Sequence, residues 1–188
     1  MKTESTNIIN GHEYVDLGLS VKWATCNVGA SSPEEYGDYF AWGETESKPT
    51  FTKENCKTWE KKLADINGDP DYDAARAIWG DTWRMPTKAE FWELENNCDW
   101  ERTALNGSAG CKITGKNGNS IFLPAAGWLE GKTKESAGSY GNYWSSTPDE
   151  KNNEDAYRLY FSHDGRGTYW SYPRCDGRSV RPVIKENE

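Results

Sequence analysis

Thirty acidic against twenty-two basic side chains leave this 188-residue chain at a formal charge of −8, a balance that repels phosphate backbones and anionic headgroups and disfavours nucleic acid and membrane surfaces as general partners. No apolar run approaches the roughly 20 residues of a membrane span, which argues against membrane insertion. Hydrophobic residues make up only 35% of the chain while Trp alone numbers ten, so the core of what reads as one domain must be assembled from a few large rings, each burying on the order of 150–250 Å².

Residues 1–10 carry one Lys and no apolar stretch. They do not read as a signal peptide and are expected as a disordered lead into a single domain over 11–185. His12 to Thr25, HEYVDLGLSVKWAT, alternates apolar and polar positions and breaks near Asp16–Gly18, which predicts a β-hairpin. Ser32-Pro33-Glu34-Glu35 resembles a helix start, and the rings that follow, up to Trp42, suggest a short aromatic strand. Residues 46–71 are polar and Lys-rich, a long loop with one helical turn at most. Asp73 as N-cap and Gly80 as stop frame a helix over DAARAIWG. In TWRMPTKAEFWELENNCDW, Thr87 and Glu90 form a capping box, and Phe91, Leu94 and Cys98 share one apolar face. The acids Glu90, Glu93 and Glu95 read as solvated surface. Residues 107–128 form a β region in which Asn117-Gly118 marks a hairpin. Short helices set among many short strands predict an α+β domain.

The tail alternates two kinds of text. GSYGNYWSSTP (138–148), AYRLYF (156–161) and GRSVRPV (177–183) look like framework. Between them, Asp149–Asp155 is wholly charged or amide, and His163–Asp176 is rich in Tyr, Trp, Arg, Ser and Gly. Cores exclude such charge, whereas Trp, Tyr and Arg dominate binding hot spots and Tyr, Ser and Gly dominate antibody-like paratopes. If the tail alternates as strands do, Tyr157, Leu159 and Phe161 face inward, with Arg158 and Tyr160 outside. Past the turn at 163–165, Arg166, Thr168, Trp170, Tyr172, Arg174, Asp176 and Arg178 then share one parity. The expectation is an outward stripe of aromatic and guanidinium groups, rimmed by His163, Asn152, Asn153, Asp155 and Asp176. Each ring taken singly could equally pack over a neighbouring loop.

WRMPTKAEFWEL (83–94) resembles the RLPTEAEWE signature of the formylglycine-generating-enzyme (sulfatase-modifying factor) branch of the C-type lectin fold, and Gly177–Arg181 resembles that branch's closing strand. The ordered set GHEYVDLGLSVKWATCNVG, FAWGET, DAARAIWG, NSIFLPAAGW, GSYGNYWSST and GRSVRPV over 11–183 is closer still to the Fibrobacter-succinogenes-type major paralogous domain and to the variable proteins of diversity-generating retroelements. The resemblance implies a C-type-lectin-like fold with paired N- and C-terminal strands, Trp144 as a core residue, and a ligand-facing region at 149–178. It also implies a non-enzymatic receptor or adhesion domain for a protein or glycan, at a cell surface or secreted. The alternatives are a formylglycine-generating-enzyme-like oxidase and a structural module of a larger surface assembly.

The oxidase branch needs two cysteines close together near the C-terminus acting through copper, and the tail offers Cys175 alone, the next before it being Cys111. The five cysteines form no CxxC pair; Cys98 and Cys111 either bridge or stay as buried thiols, the second reading being preferred. Asp65-Ile-Asn-Gly-Asp-Pro-Asp begins like a calcium loop but carries Pro70 at position six and Arg76 at position twelve, so an acidic turn is expected. With His12 and His163 the only histidines, no metal or cofactor is expected.

Overall fold

The structure, a computed structural model, describes residues 7–80 and 82–185. In chain order it contains β1 (Ile8–Ile9), β2 (His12–Val15), β3 (Lys22–Ala24), helix α1 (Ala74–Trp79), β4 (Trp83–Arg84) and helix α2 (Lys88–Asn97). A meander follows: β5 (Asp99–Leu105), β6 (Ser108–Thr114) and β7 (Ser120–Pro124), then the short pair β8 (Trp128–Glu130) and β9 (Thr133–Glu135). The tail supplies β10 (Gly141–Pro148), β11 (Asp155–Phe161), β12 (Arg166–Gly167), β13 (Ser171–Pro173) and β14 (Val183–Ile184). Strand dominates, with helices confined to the middle of the chain, an α+β arrangement.

The expected hairpin forms from β2 and β3, with Tyr14 opposite Ala24 and Val15 opposite Trp23. β14 then lies antiparallel between β3 and β4, Val183 facing both Trp23 and Arg84, so the sheet runs β1-β2-β3-β14-β4. The pairing of N- and C-terminal strands thus holds. Part of the segment expected as disordered, Ile8–Ile9, is the edge strand of this sheet; residues 1–6 lie outside those described.

Both helices form where their caps predict. The Asp73 carboxylate accepts from the Arg76 amide at 3.1 Å, and Gly80, at φ 97°, ends α1. The same buried carboxylate accepts from the Gly68 and Met85 amides, each at 2.8 Å, so Asp73 ties the preceding acidic turn to β4 while burial pushes its pKa up. On α2 the Thr87–Glu90 box is closed in both directions, and Glu90 also grips Arg84 at 2.6 and 2.8 Å. Glu95 departs from the solvated face expected for it: it is buried, accepts from Thr168 Oγ1 at 3.3 Å, and burial raises its pKa. Position 95 lies one residue beyond Leu94, so it turns toward β12 where that short strand crosses the helix.

The segment after Pro33 carries turns rather than a helix. Its rings go inward instead: Tyr39, Phe40 and Trp42 are buried, and Phe40 makes only an isolated bridge to Arg178 rather than a strand. Residues 46–71 are a loop with one 3₁₀ turn, Lys53–Asn55. The Asn117-Gly118 hairpin joins β6 to β7, with Gly118 at φ 85°. All five cysteines are free thiols, Cys98 and Cys111 included.

Two large apolar clusters fill the interior. One joins Trp23, Phe91, Leu94, Ile113, Leu123, Tyr143, Leu159 and Phe161; the other is built around Trp42, Trp79, Trp83, Trp144 and Val180. Rings do stand in for the missing aliphatics. A smaller cluster of Tyr39, Phe51, Cys56, Ala126 and Cys175 lies under the long loop.

Candidate functional site

The tail builds its platform on β11. β10 pairs along one edge, with Tyr143 opposite Leu159 and Trp144 opposite Arg158. The other edge is shared by two short strands: β12 opposite Tyr160–Phe161 and β13 opposite Asp155–Tyr157. Between them the chain leaves the ladder for Thr168–Trp170. That excursion drives Thr168 inward onto Glu95 and lifts Tyr169 and Trp170 into solvent, 62% and 66% exposed, with Tyr172 at 37%. Tyr169, which parity assigned to the inner face, is among the most exposed rings of the molecule.

The single outward stripe does not form. Alternation requires one continuous strand, and here the run is cut twice, at 168–170 and by the turn at 174–176. Arg166, Trp170 and Tyr172 are exposed, Tyr160 is half-buried, and Thr168, Arg158, Arg174 and Arg178 are buried. Arg166 lies over the Trp100 ring at 5.2 Å, on the side toward β5. His163 is solvent-exposed at the β11–β12 turn beside Asp164, at 2.9 Å. Asn152 and Asn153 project from the β10–β11 turn, where Asn152 Oδ1 accepts from the Glu154 amide. The half-buried Asp155 carboxyl is raised by burial, with Asp149 adding to the effect.

Arg174 is a staple. Its Nε donates to the Asp155 carbonyl at 3.0 Å and its Nη1 to the Lys61 carbonyl at 2.8 Å, while the guanidinium lies 4.3 Å from the Trp42 ring centre. It thereby fastens the long 46–71 loop to the platform. Such a loop has unpaired carbonyls to satisfy, and a fork of donors on an aromatic face does so. Arg181, outside the expected site, does the same for β3 and β7 through Asn27, Ala24, Thr25 and Phe122.

Arg158 and Arg178 behave differently. The backbone at 177–179 is bonded to Leu129, Phe40 and Asn142, which fixes Arg178 inside the wall of a cavity of about 560 Å³. Trp128, Tyr140, Asn142, Arg158, Tyr172 and Asp176 share that cavity. The Tyr172 ring stands 4.0 Å from the Arg158 guanidinium and 5.2 Å from that of Arg178. Arg178 Nη2 pairs with Asp176 at 2.9 Å. Burial, reinforced by the neighbouring Arg158 charge, brings Arg178 down to about 9, and burial lowers Arg158 as well. Asp176 is raised by burial despite its partner, so desolvation outweighs the pair's attraction on both sides. Arg158 Nε and Nη1, Arg178 Nε and Asn142 Nδ2 are buried donors with no acceptor among the described residues.

Sequence reasoning found Arg158, Tyr172, Asp176 and Arg178 but missed Trp128, Tyr140 and Asn142, which sit in segments that read as framework. The backbone bonds exchanged by Leu129 and Gly177 bring β8 to the tail, and no local pattern signals a pairing of that span. The structure also places Cys56 in the same cluster as Cys175, a proximity invisible to a reading of tail cysteines alone. Burial pushes the Cys175 thiol up to about 12. Asp65 accepts from Thr147 Oγ1 and the Asn67 amide, and among the described residues no group of His, Cys, Asp and Glu is arranged to hold a metal. No described helix is long and apolar enough to cross a membrane.

A family model described as a domain of unknown function (DUF8237) matches residues 82–183, more than half of the chain, and takes in every wall residue of the cavity. No curated protein and no solved structure matches.

Proposed function

This chain belongs to the DUF8237 family, and we propose that within it the domain is a non-enzymatic, ligand-binding module of receptor or adhesion type. Its C-type-lectin-like fold carries a Tyr/Trp/Arg-rich C-terminal surface for a protein or glycan at the cell surface or in secreted form. One observation carries this reading: Tyr169, Trp170 and Tyr172 stand exposed within four residues, the first two on the excursion between β12 and β13 and the third on β13, which pairs with β11. Large rings with only two side-chain torsions lose little conformational entropy on binding and supply most of the energy at hot spots. The lectin-like reading is supported by β14 lying beside β3 and by the buried Trp144, whose indole donates to the Phe40 carbonyl at 2.9 Å. Diversification by a retroelement belongs to the same proposal. It predicts that substitutions among copies fall on 149–178, and a near-copy repeat beside a reverse transcriptase in the flanking DNA tests it.

Glycan and protein arrays probed with wild type and with a Tyr169→Ala, Trp170→Ala double variant test the surface; identical hits would remove it. An oxidase reading draws on Cys56 and Cys175 sharing one cluster. It is opposed by burial, which holds the Cys175 thiol protonated when the thiolate is the metal ligand and nucleophile. Copper(I) binding lost in Cys175→Ala would favour the oxidase; array binding retained in Cys175→Ala favours the receptor.

A further inference from the structure

We infer that the cavity between β8, β11 and β13 seats a carboxylate borne on a hydroxylated ring, that is, an acidic sugar. The inference rests on the ligand-binding reading above and names the ligand class of its inner site. Four buried donor atoms without an acceptor among the described residues belong to three residues of this one wall: Arg158 Nε and Nη1, Arg178 Nε and Asn142 Nδ2. Arg158 is 8% exposed and makes no ion pair among the described residues. A buried cation without an ion-pair partner is strongly unfavourable, and among the described residues this one is relieved only in part, by the side chains of Tyr160 and Tyr172 and by the charge of Asp176, which Arg178 already holds. The wall therefore offers donors and positive charge, and the complement is an acceptor-only anion.

The charge count selects which anion. Arg178 is already engaged by Asp176 at 2.9 Å, and Glu130 stands at the rim. With Asp176 taken up by Arg178, the Arg158 guanidinium is left with only the exposed Glu130 at the rim, so the wall offers one inner positive charge to a monoanion and none to the second charge of a phosphate. A carboxylate presents two oxygens to an arginine fork in bidentate geometry. The remaining walls suit a sugar ring: Trp128, Tyr140 and Tyr172 give apolar faces, and Glu130, Ser136 and Asp176 give partners for hydroxyls. A cavity of about 560 Å³ falls within the roughly 300–1,000 Å³ of small-ligand sites.

Glucuronate, glucose and inorganic phosphate, each at about 10 mM, are titrated into wild type, Arg158→Met and Trp170→Ala, with melting temperature as the readout. Glucuronate is expected to raise the wild-type midpoint by roughly 2 °C or more, since a ligand of the native state shifts it by mass action. Glucose and phosphate leave it unchanged. Arg158→Met melts no lower than wild type, because an unpaired buried charge has been replaced by an apolar side chain, yet loses the glucuronate response. Should that variant fail to fold, the arginine Nε–H resonances of wild type serve instead: glucuronate must move two of them. Trp170, which lies outside the cavity wall, separates the two readings. Trp170→Ala retains the glucuronate shift, so loss of array binding with that shift intact implicates the outer surface alone. No response to glucuronate, an equal response to phosphate, or an unchanged response in Arg158→Met overturns the acidic-sugar site even where array binding survives.

Discussion

Arg181→Met is the sharpest test of how this core is held together. Arg181 is fully buried and donates four times: to Asn27 Oδ1 at 2.8 Å and to the carbonyls of Ala24, Thr25 and Phe122 at 3.0, 2.8 and 3.0 Å. Hydrogen bonds from a charged group contribute about 1.5–3 kcal/mol each, against which stands a desolvation penalty of several kcal/mol for the buried cation. Burial indeed lowers its pKa. Methionine removes the penalty but leaves four acceptors facing a thioether, so the net loss is about 3–5 kcal/mol. For a domain of this size that lowers the melting temperature by roughly 10 °C. Arg181→Lys should lose nearly as much, since a single ammonium cannot reach acceptors on both β7 and the β3 loop. Urea unfolding followed by tryptophan fluorescence measures both. A loss below about 1 kcal/mol with an unchanged m-value would refute the claim that the fork, rather than apolar packing around it, joins β3 to β7.

Three further outcomes are expected. His12 stacks on Trp79 at 3.6 Å and is held below its ordinary pKa by burial. The unfolded chain therefore takes up this proton first: the contribution is intact above about pH 6.5 and is lost as pH falls through the lowered value. His12→Phe keeps the stack and should flatten that part of the difference in urea midpoint between about pH 7 and pH 5, the carboxyl contributions cancelling between the two proteins. The Tyr169→Ala, Trp170→Ala double variant should unfold within about 0.5 kcal/mol of wild type per substitution, because both rings are mostly in water; a larger loss by chemical denaturation means they pack where they were read as free. Gly127 adopts φ 64°, and a Cβ there would lie 2.0 Å from the Glu135 carbonyl oxygen. Gly127→Ala should therefore destabilise by about 2 kcal/mol or more and disturb the β8–β9 wall, which loss of the glucuronate shift would report.

Local chemistry made the secondary structure legible. The Thr87–Glu90 box, the Asp73 cap and the Asn117-Gly118 turn each encode their geometry within a few residues, and each is found as read. The segment Ser32–Glu35 carries comparable helix chemistry and forms turns, because the rings after it are drawn into the core. The site was legible in composition and not in arrangement. Tyr, Trp and Arg in the tail did indicate a chemically unusual region, but assigning faces by parity assumed an unbroken strand. Two interruptions turned Arg174 and Arg178 inward, Arg174 onto loop carbonyls and Arg178 onto Asp176 and the Trp144 ring. An arginine in a loop-rich tail has two destinies with one sequence signature, since the donors that grip a ligand also satisfy loop carbonyls. Trp128 and Asn142 join the cavity only through pairings between distant segments, such as Leu129 with Gly177.

The position of β14 carries a consequence for assembly. A strand from the far end of the domain fills the place between β3 and β4 in the β1-β2-β3-β14-β4 sheet, so β4 has no strand partner in this sheet, and β3 pairs on one edge only, until it arrives. Loop closure over more than 150 residues between Lys22–Ala24 and Val183–Ile184 must precede that step, which predicts slow, late consolidation. Until then a vacant groove with two unpaired edges is open to any extended segment, and in a crowded solution the nearest correct one belongs to another copy of the chain. Exchange of this strand between molecules is the misassembly to look for when the protein is refolded at high concentration.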